Sequence, residues 1–350
     1  MKKIDKFIKM RKFIVIVLLS LIALGSITAG VSYLYIKSKL SNIKTVIISK
    51  DPIQLGISPL MTPKVTDVSP SPNNVGTSSN KDVKLTSKIT NILILGKDSR
   101  NPILERGRSD TIMILTIDEK QNKLKLTSIM RDSYVKMDGH SSQKLTNAYA
   151  FGGALFTLKT VNQNYNMNIT DYVQVDLYGF AKIIDYLGGI SINVKTDEIF
   201  WANYYIKEMA EFEGIKPPLV TNSGTQILSG MQAVGYSRIR YVGNSDFERT
   251  SRQRTVFTTL FDKLIYKNIT EIPGVIDTLS KYVETSLTPN DIMELSKYVL
   301  IHRITTIDQS RVPYEGLYHD EVINGAAVLV WDKRATIDKL HQFIFETNGN

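Results

Sequence analysis

Residues 91–133, NILILGKDSRNPILERGRSDTIMILTIDEKQNKLKLTSIMRDS, decide the fold. Ile92–Leu95 is a short apolar run closed by Gly96, the pattern of a buried strand. Thr111–Ile117 and Leu124–Met130 repeat the pattern, with the turn-like DEKQNK between them. Three such strands in succession predict an antiparallel meander. In a meander the end of the first strand, the start of the second and the end of the third share one sheet edge. Asp98, Arg100, Asp110 and Arg131 stand at those three ends. Two carboxylates beside two guanidiniums suit a divalent cation plus a phosphate. Solvated loop charges are the plainer alternative.

Working outward, Asn147–Asn164 and Tyr178–Leu187 read as helices joined by a strand near Tyr172–Leu177. Gly188 and Gly189 turn the chain into a further strand, Ile190–Val194. Pro289–Leu300 and Lys333–Phe345 carry helical patterns. Tyr149, Phe151, Phe156 and Phe180 are candidates to line an apolar tunnel, although plain core is the commoner role of such residues. The aromatic-rich segment 199–220, IFWANYYIKEMAEFEGIKPPLV, reads as an insertion beside a substrate groove or as a packed helix and loop.

The densest cationic run lies at 236–254, YSRIRYVGNSDFERTSRQR. Tyr236, Arg238 and Arg240 alternate with Ser237, Ile239 and Tyr241, so a strand there would put both arginines on one face. Two such cations repel unless an anion bridges them. Ser245 and Glu248 then form an S-x-x-E capping box, which predicts a helix start. On that helix Val256, Leu260 and Leu264 define the apolar stripe, and Gln253, Arg249 and Asp246 continue it toward the N-terminus. Arg252 falls at the margin, and Arg254 falls on the solvated side. Inward polar groups at a helix N-terminus suit a phosphate.

The net charge of +9 is confined to the N-terminus. Residues 1–50 hold ten Lys/Arg and one acid, and the other 300 hold 33 of each sign. This argues against nucleic acid as the partner of the arginine run. Lys2, Lys3, Lys6, Lys9, Arg11 and Lys12 precede an uncharged stretch from Phe13 to Ile36. As a helix that stretch would span roughly 36 Å, enough to cross a bilayer. Basic flanks stay in the cytoplasm. The expectation is a cytoplasmic tail at 1–12, a single-pass anchor at 13–36, an extracellular linker at 37–85 rich in Pro, Ser and Asn toward its end, and an exported domain at 86–346. A cleaved signal peptide is the alternative. The chain has no cysteine, which excludes disulfides and cysteine nucleophiles, and its four histidines are scattered.

Seven segments taken in order resemble the LytR–CpsA–Psr (LCP) family of membrane-anchored cell-wall enzymes: NILILGKDSR, GRSDTIMILTID, LTSIMRDSYV, KLTNAYAFGG, DLYGFAKIIDYLGGISINV, LSGMQAVGYSRIRYV and DFERTSRQR. They cover roughly residues 88–265. No single one is specific, but their joint order and spacing are. The resemblance implies an α/β fold, a three-layer α-β-α sandwich around a mixed sheet. It implies transfer of a glycopolymer such as teichoic acid or capsule from a polyprenyl-pyrophosphate carrier to peptidoglycan, with Mg²⁺ (or Mn²⁺) assisting. Asp98 and Asp110 match the family's acidic positions around metal and pyrophosphate. Arg100, Arg131, Arg238, Arg240, Arg249 and Gln253 match its head-group contacts, and Lys144 lies in its K-[IL]-x-x-A-Y segment. Asn147 and Glu248 depart from the common histidine and glycine. Asp98, Asp110 and Asp246 remain open as general base, with Arg131 beside them in the reacting centre. Hydrolysis of the same lipid, or non-catalytic binding of wall or lipid, are the other functions that the sequence permits.

Overall fold

The computed structural model describes residues 32–59, 89–98, 107–243, 245–268 and 270–345. The elements in chain order are helix α1 (32–40) and strands β1 (Lys44–Thr45), β2 (Ile89–Asp98), β3 (Arg108–Asp118), β4 (Lys123–Ile129), β5 (Tyr134–Met137) and β6 (His140–Lys144). Then come α2 (Asn147–Tyr165), β7 (Asp171–Asp176), α3 (Leu177–Tyr186), β8 (Ile190–Val194), α4 (Thr196–Glu213), β9 (Gly224–Leu228), α5 (Gly230–Ser237) and α6 (Ser245–Ile265). The chain ends with α7 (Ile272–Leu279), β10 (Val283–Thr285), α8 (Pro289–Ile301), β11 (Ile307–Val312), β12 (Tyr318–Ile323), β13 (Ala326–Trp331) and α9 (Lys333–Phe345).

The central sheet runs β1-β10-β7-β2-β3-β4-β11. β2, β3 and β4 pair antiparallel as the sequence predicts, while β2–β7 and β4–β11 are parallel, so the sheet is mixed. Period-two alternation sends successive side chains of each strand to opposite faces. Leu93, Leu95, Ile112 and Ile114 pack on one face with Leu158 and Val161 of α2 and Leu340 and Ile344 of α9. Ile92 and Ile117 pack on the other, with Phe261 of α6 and Ile292 and Leu295 of α8. The sandwich is therefore three-layered. A third core joins α3, α4, α5 and α6 around Ile184, Ile206, Val234 and Val256. The crossing of α5 over α3 depends on Gly230, where a Cβ would sit 1.9 Å from the Ala181 carbonyl oxygen.

Two sequence expectations are corrected. Tyr236–Arg240 is not a strand. α5 runs to Ser237, Arg238 is its C-cap in helical geometry (φ −91°, ψ −10°), and Arg240 follows in a loop. Nor are residues 37–59 a linker. β1 joins the central sheet beside β10, and Leu40, Ile43, Leu55 and Ile57 are buried in the cores. The proposed anchor at 13–36 lies outside the described residues except for its last five. Among the described residues no helix is long and apolar enough to cross a membrane. Residues 60–85 of the expected linker lie outside them too.

Candidate active site

The meander builds one side of the site. Met113 faces Ser128 in the β3–β4 ladder, and the same register continued past the ladder sets Asp110 opposite Arg131. The side chains meet: Arg131 Nη1 donates to Asp110 Oδ1 at 2.5 Å. Arg240 Nη2 donates to the other carboxylate oxygen at 3.2 Å. α6 supplies the opposing side. Arg249 Nη2 donates to Asp246 Oδ2 at 2.7 Å. Asp246 also lies 3.5 Å from Arg131 Nε and 3.8 Å from Arg240 Nε. Two carboxylates thus interlock three guanidiniums drawn from a sheet edge, a loop and a helix.

Cations dominate the electrostatics. Arg249 is only 2% exposed. Burial pushes its guanidinium down to about 10, against the pull of Asp246, with Arg131 and Arg240 adding to the depression. Burial also works against the Asp110 charge, but Arg131, Arg249 and Arg240 outweigh it and hold the carboxyl below its ordinary value. For Arg131 burial is outweighed by Asp110, Asp132 and Asp246, which raise it. Nε of Arg131 and Nε of Arg249 are buried donors without a hydrogen-bond acceptor among the described residues. Charged donors left in this state are costly, and for Arg131 the Asp246 and Asp132 carboxylates at 3.5 and 3.6 Å offset part of that cost.

These groups open into a cavity of about 960 Å³ lined by Arg108, Asp110, Arg131, Arg238, Arg240, Arg249 and Gln253, with Tyr204, Tyr205, Glu208, Tyr241 and Leu177 completing the wall. Arg238 stacks over the Tyr205 ring at 4.8 Å and reaches Glu208 at 3.4 Å. Five lining guanidiniums against Asp110, Glu208 and the bracing Asp246 leave an excess of two positive charges.

The loop that presents Arg238 and Arg240 is held from behind by Arg252. Its Nε donates to Glu198 of α4 at 2.8 Å, and its Nη1 and Nη2 donate to the Ile239 and Val242 carbonyls at 3.2 Å each. Glu198 in turn accepts from the Lys195 amide. The pair is almost fully buried, at 4% and 3% side-chain exposure.

The predicted residues are distributed as follows. Asp110, Arg131, Arg238, Arg240, Arg249 and Gln253 line the cavity, and Asp246 braces three of the arginines. Lys144 stands aside and pairs with Asp132 at 2.9 Å, which is itself 3.6 Å from Arg131. Asp98 ends β2 opposite Arg108. The Asp98 side chain and all of Arg100 lie outside the described residues, as does the Ser245 side chain of the expected capping box. Arg254 is not solvated: it donates to Ser128 at 3.0 Å and to Gln309 at 3.2 Å. Tyr149 is core and donates to Gln174, and Phe151 stacks on His140, so neither lines the cavity. Sequence reasoning missed Arg108, Tyr204, Tyr205, Glu208 and Tyr241. The i, i+4 spacing of Tyr204 and Glu208 on a helix was the available signal.

For a metal ion, the described residues hold no group of three or more Asp, Glu or His side chains poised as ligands. Carboxylate oxygens nonetheless suit Mg²⁺ or Mn²⁺. Mg²⁺ commonly takes one or two carboxylates plus substrate phosphates, so the donor chemistry of Asp110 fits such an ion once a phosphate is present.

Fold and site together define an α/β protein with an arginine-lined cavity at one end of its sheet. The chain belongs to the LytR–CpsA–Psr family, whose LytR_cpsA_psr profile matches residues 32–342. It is 30% identical to the regulatory protein MsrR of Staphylococcus aureus over 272 residues, covering 76% of this chain and 77% of that one. It is 31% identical over 221 residues to the polyisoprenyl-teichoic acid–peptidoglycan teichoic acid transferase TagU of Bacillus cereus, covering 62% and 67%. The structure of YwtF (TagT) with bound octaprenyl pyrophosphate lipid, a protein of Bacillus subtilis, matches with a TM-score of 0.55 at 22% identity, over 73% of this chain and 90% of that one. That last likeness speaks to the fold alone.

Proposed function

We propose that this chain is a phosphotransferase that moves a glycopolymer, such as teichoic acid or capsule, from a polyprenyl-pyrophosphate lipid to peptidoglycan through a phosphodiester. The observation that carries this reading is the cluster of Arg108, Arg131, Arg238, Arg240 and Arg249 in one cavity. Its excess charge balances a pyrophosphate. The family membership and the transferase name of TagU support the lipid-linked substrate. We further propose residues 13–36 as a membrane anchor with the domain outside the cell, which would hold the site beside a lipid substrate.

In the reaction, an acceptor hydroxyl oxygen attacks the glycan-side phosphorus. The bond from that phosphorus to the bridging oxygen breaks, polyprenyl phosphate leaves, and the hydroxyl proton passes to a base. Negative charge builds on the transferred phosphoryl and on the leaving phosphate. Arg131, Arg240 and Arg249, fixed in place by Asp110 and Asp246, neutralise it without reorganising. Mg²⁺ (or Mn²⁺) held by Asp110 and Asp98 would add Lewis-acid stabilisation of the same oxygens. Arg240→Ala should lower transfer about 100-fold, the scale seen for loss of one preorganised donor, while the far-UV spectrum stays native. Transfer is measured with Mg²⁺, a pyrophosphate-linked glycolipid and peptidoglycan. A folded variant with full transfer would refute the site assignment. Product release without peptidoglycan would identify a hydrolase instead.

A further inference from the structure

The wall of the arginine cavity continues outward into a cluster of aromatic rings that the phosphate chemistry does not use. Tyr204 of α4 and Tyr241 of the arginine loop line the cavity, yet they are 54% and 64% exposed. Trp201 lies behind both, with its ring centroid 4.4 Å from Tyr241 and 6.1 Å from Tyr204. Phe200, 69% exposed, extends the cluster at 5.1 Å from Trp201. Trp201 is packed against the adjoining core, so the exposed rings rest on a fixed base.

We propose that Tyr204 and Tyr241, backed by Trp201, form a stacking subsite for a pyranose ring attached to the bound phosphate. The inference rests on the pyrophosphate reading of the cavity and adds to it where the sugar lies. Three observations choose the occupant. First, Tyr241 is the residue after Arg240, so a group stacked on it is one residue's reach from the phosphate clamp. Second, both rings line the cavity while half in water. That suits the C–H face of a sugar whose hydroxyls stay hydrated, because the electron-rich ring face attracts C–H groups. A prenyl chain would gain little there, since burial from water is its driving force. Third, Trp201 packs on the adjoining core and holds its ring centroid 4.4 Å from that of Tyr241, so the ring is fixed in place before a sugar arrives.

The test compares three probes on the full chain in detergent by titration calorimetry: farnesyl pyrophosphate, farnesyl pyrophosphate esterified to one hexosamine, and a phosphate-free peptidoglycan disaccharide. A parallel series replaces Trp331 with Phe, so that Trp201 is the remaining tryptophan and its fluorescence reports the stack. The expected result for Tyr241→Ala is a loss of about tenfold for the sugar-bearing lipid, within reach of one aromatic contact. The bare pyrophosphate should lose less than threefold, and sugar binding should quench Trp201 only in the parent. Tyr241→Phe should retain binding. Weakening of the disaccharide by the same factor would place the acceptor sugar on the same rings. Equal losses for bare and sugar-bearing lipid would overturn the subsite while leaving the clamp intact. Failure of the parent chain to bind farnesyl pyrophosphate would overturn both. Loss of binding to phosphatidylglycerol vesicles, with sugar affinity unchanged, would assign the rings to the membrane and overturn the proposal.

Discussion

Asp110 accepts from Arg131 through one oxygen and from Arg240 through the other, and its carboxyl is held below the ordinary range although burial pulls the opposite way. A carboxylate so engaged is a weak proton acceptor, which argues against Asp110 as the base. The same depression predicts a pH dependence. Because the folded value lies below the unfolded one, near 4, the unfolded state takes up the proton first as the solution is acidified. The stabilisation is complete above that value and is lost as pH falls through the lower folded value. Asp110→Asn should therefore cost about 1–3 kcal/mol at pH 7, and its urea midpoint should converge on the parent's as pH drops below about 4. A constant gap from pH 7 to pH 2.5 would show that the carboxylate is not paired as described. At this scale much was legible beforehand. The wheel that placed Asp246, Arg249 and Gln253 on the line of Val256 and Leu260 described a real inward face, since Val256 is 1% exposed. It failed at Arg254, whose neighbours come from β4 and β11, far along the chain.

α4 and α6 are coupled through Glu198 and Arg252, and between them they hold the loop that carries Arg238 and Arg240. Breaking a buried pair strands a charge and typically costs about 3–5 kcal/mol. Arg252→Met and Glu198→Leu singly should each destabilise on that scale, while the double variant should recover part of the loss. Arg252→Lys keeps the charge but lacks the donors for both carbonyls, so it should loosen the loop and raise KM for the glycolipid more than it lowers kcat. Additive single losses in the double variant, read from denaturant midpoints, would mean that the helices are not coupled through this pair. The elements themselves were partly readable. The ends of α9 and β8 match the sequence expectation, because turn glycines and a clear apolar period mark them. α5 was mistaken for a strand because Y-S-R-I-R alternates over a stretch too short to expose a helical period. The corrective signal was Ser229 with Gln232, a capping box that the structure confirms.

The domain begins earlier than its composition suggests. α1 and residues 40–57 precede a Pro/Ser/Asn-rich stretch and so look detached from the core, yet Leu55 is fully buried and its carbonyl accepts from Asn162 of α2 at 2.8 Å. Leu40 and Ile43 cover Ile276, and Val46 donates to the Thr285 carbonyl at 2.8 Å. Such contacts join residues more than a hundred positions apart, and no local pattern announces them. The consequence is architectural. The stretch at 60–88 connects β1 to β2 within one sheet order and does not separate the domain from the N-terminal segment. If residues 13–36 form the anchor proposed above, the domain is held close to the bilayer instead of swinging on a tether. A site-specific protease sequence inserted near residue 74 tests this arrangement. After cleavage the N-terminal fragment should remain bound to the rest through size-exclusion chromatography, because Leu40, Ile43, Leu55 and Ile57 stay buried in the cores. Leu55→Ala should cost about 2–5 kcal/mol in the uncut chain and should release the fragment from the cut one. Separation of the unsubstituted fragments under native conditions would return residues 37–59 to the status of a linker.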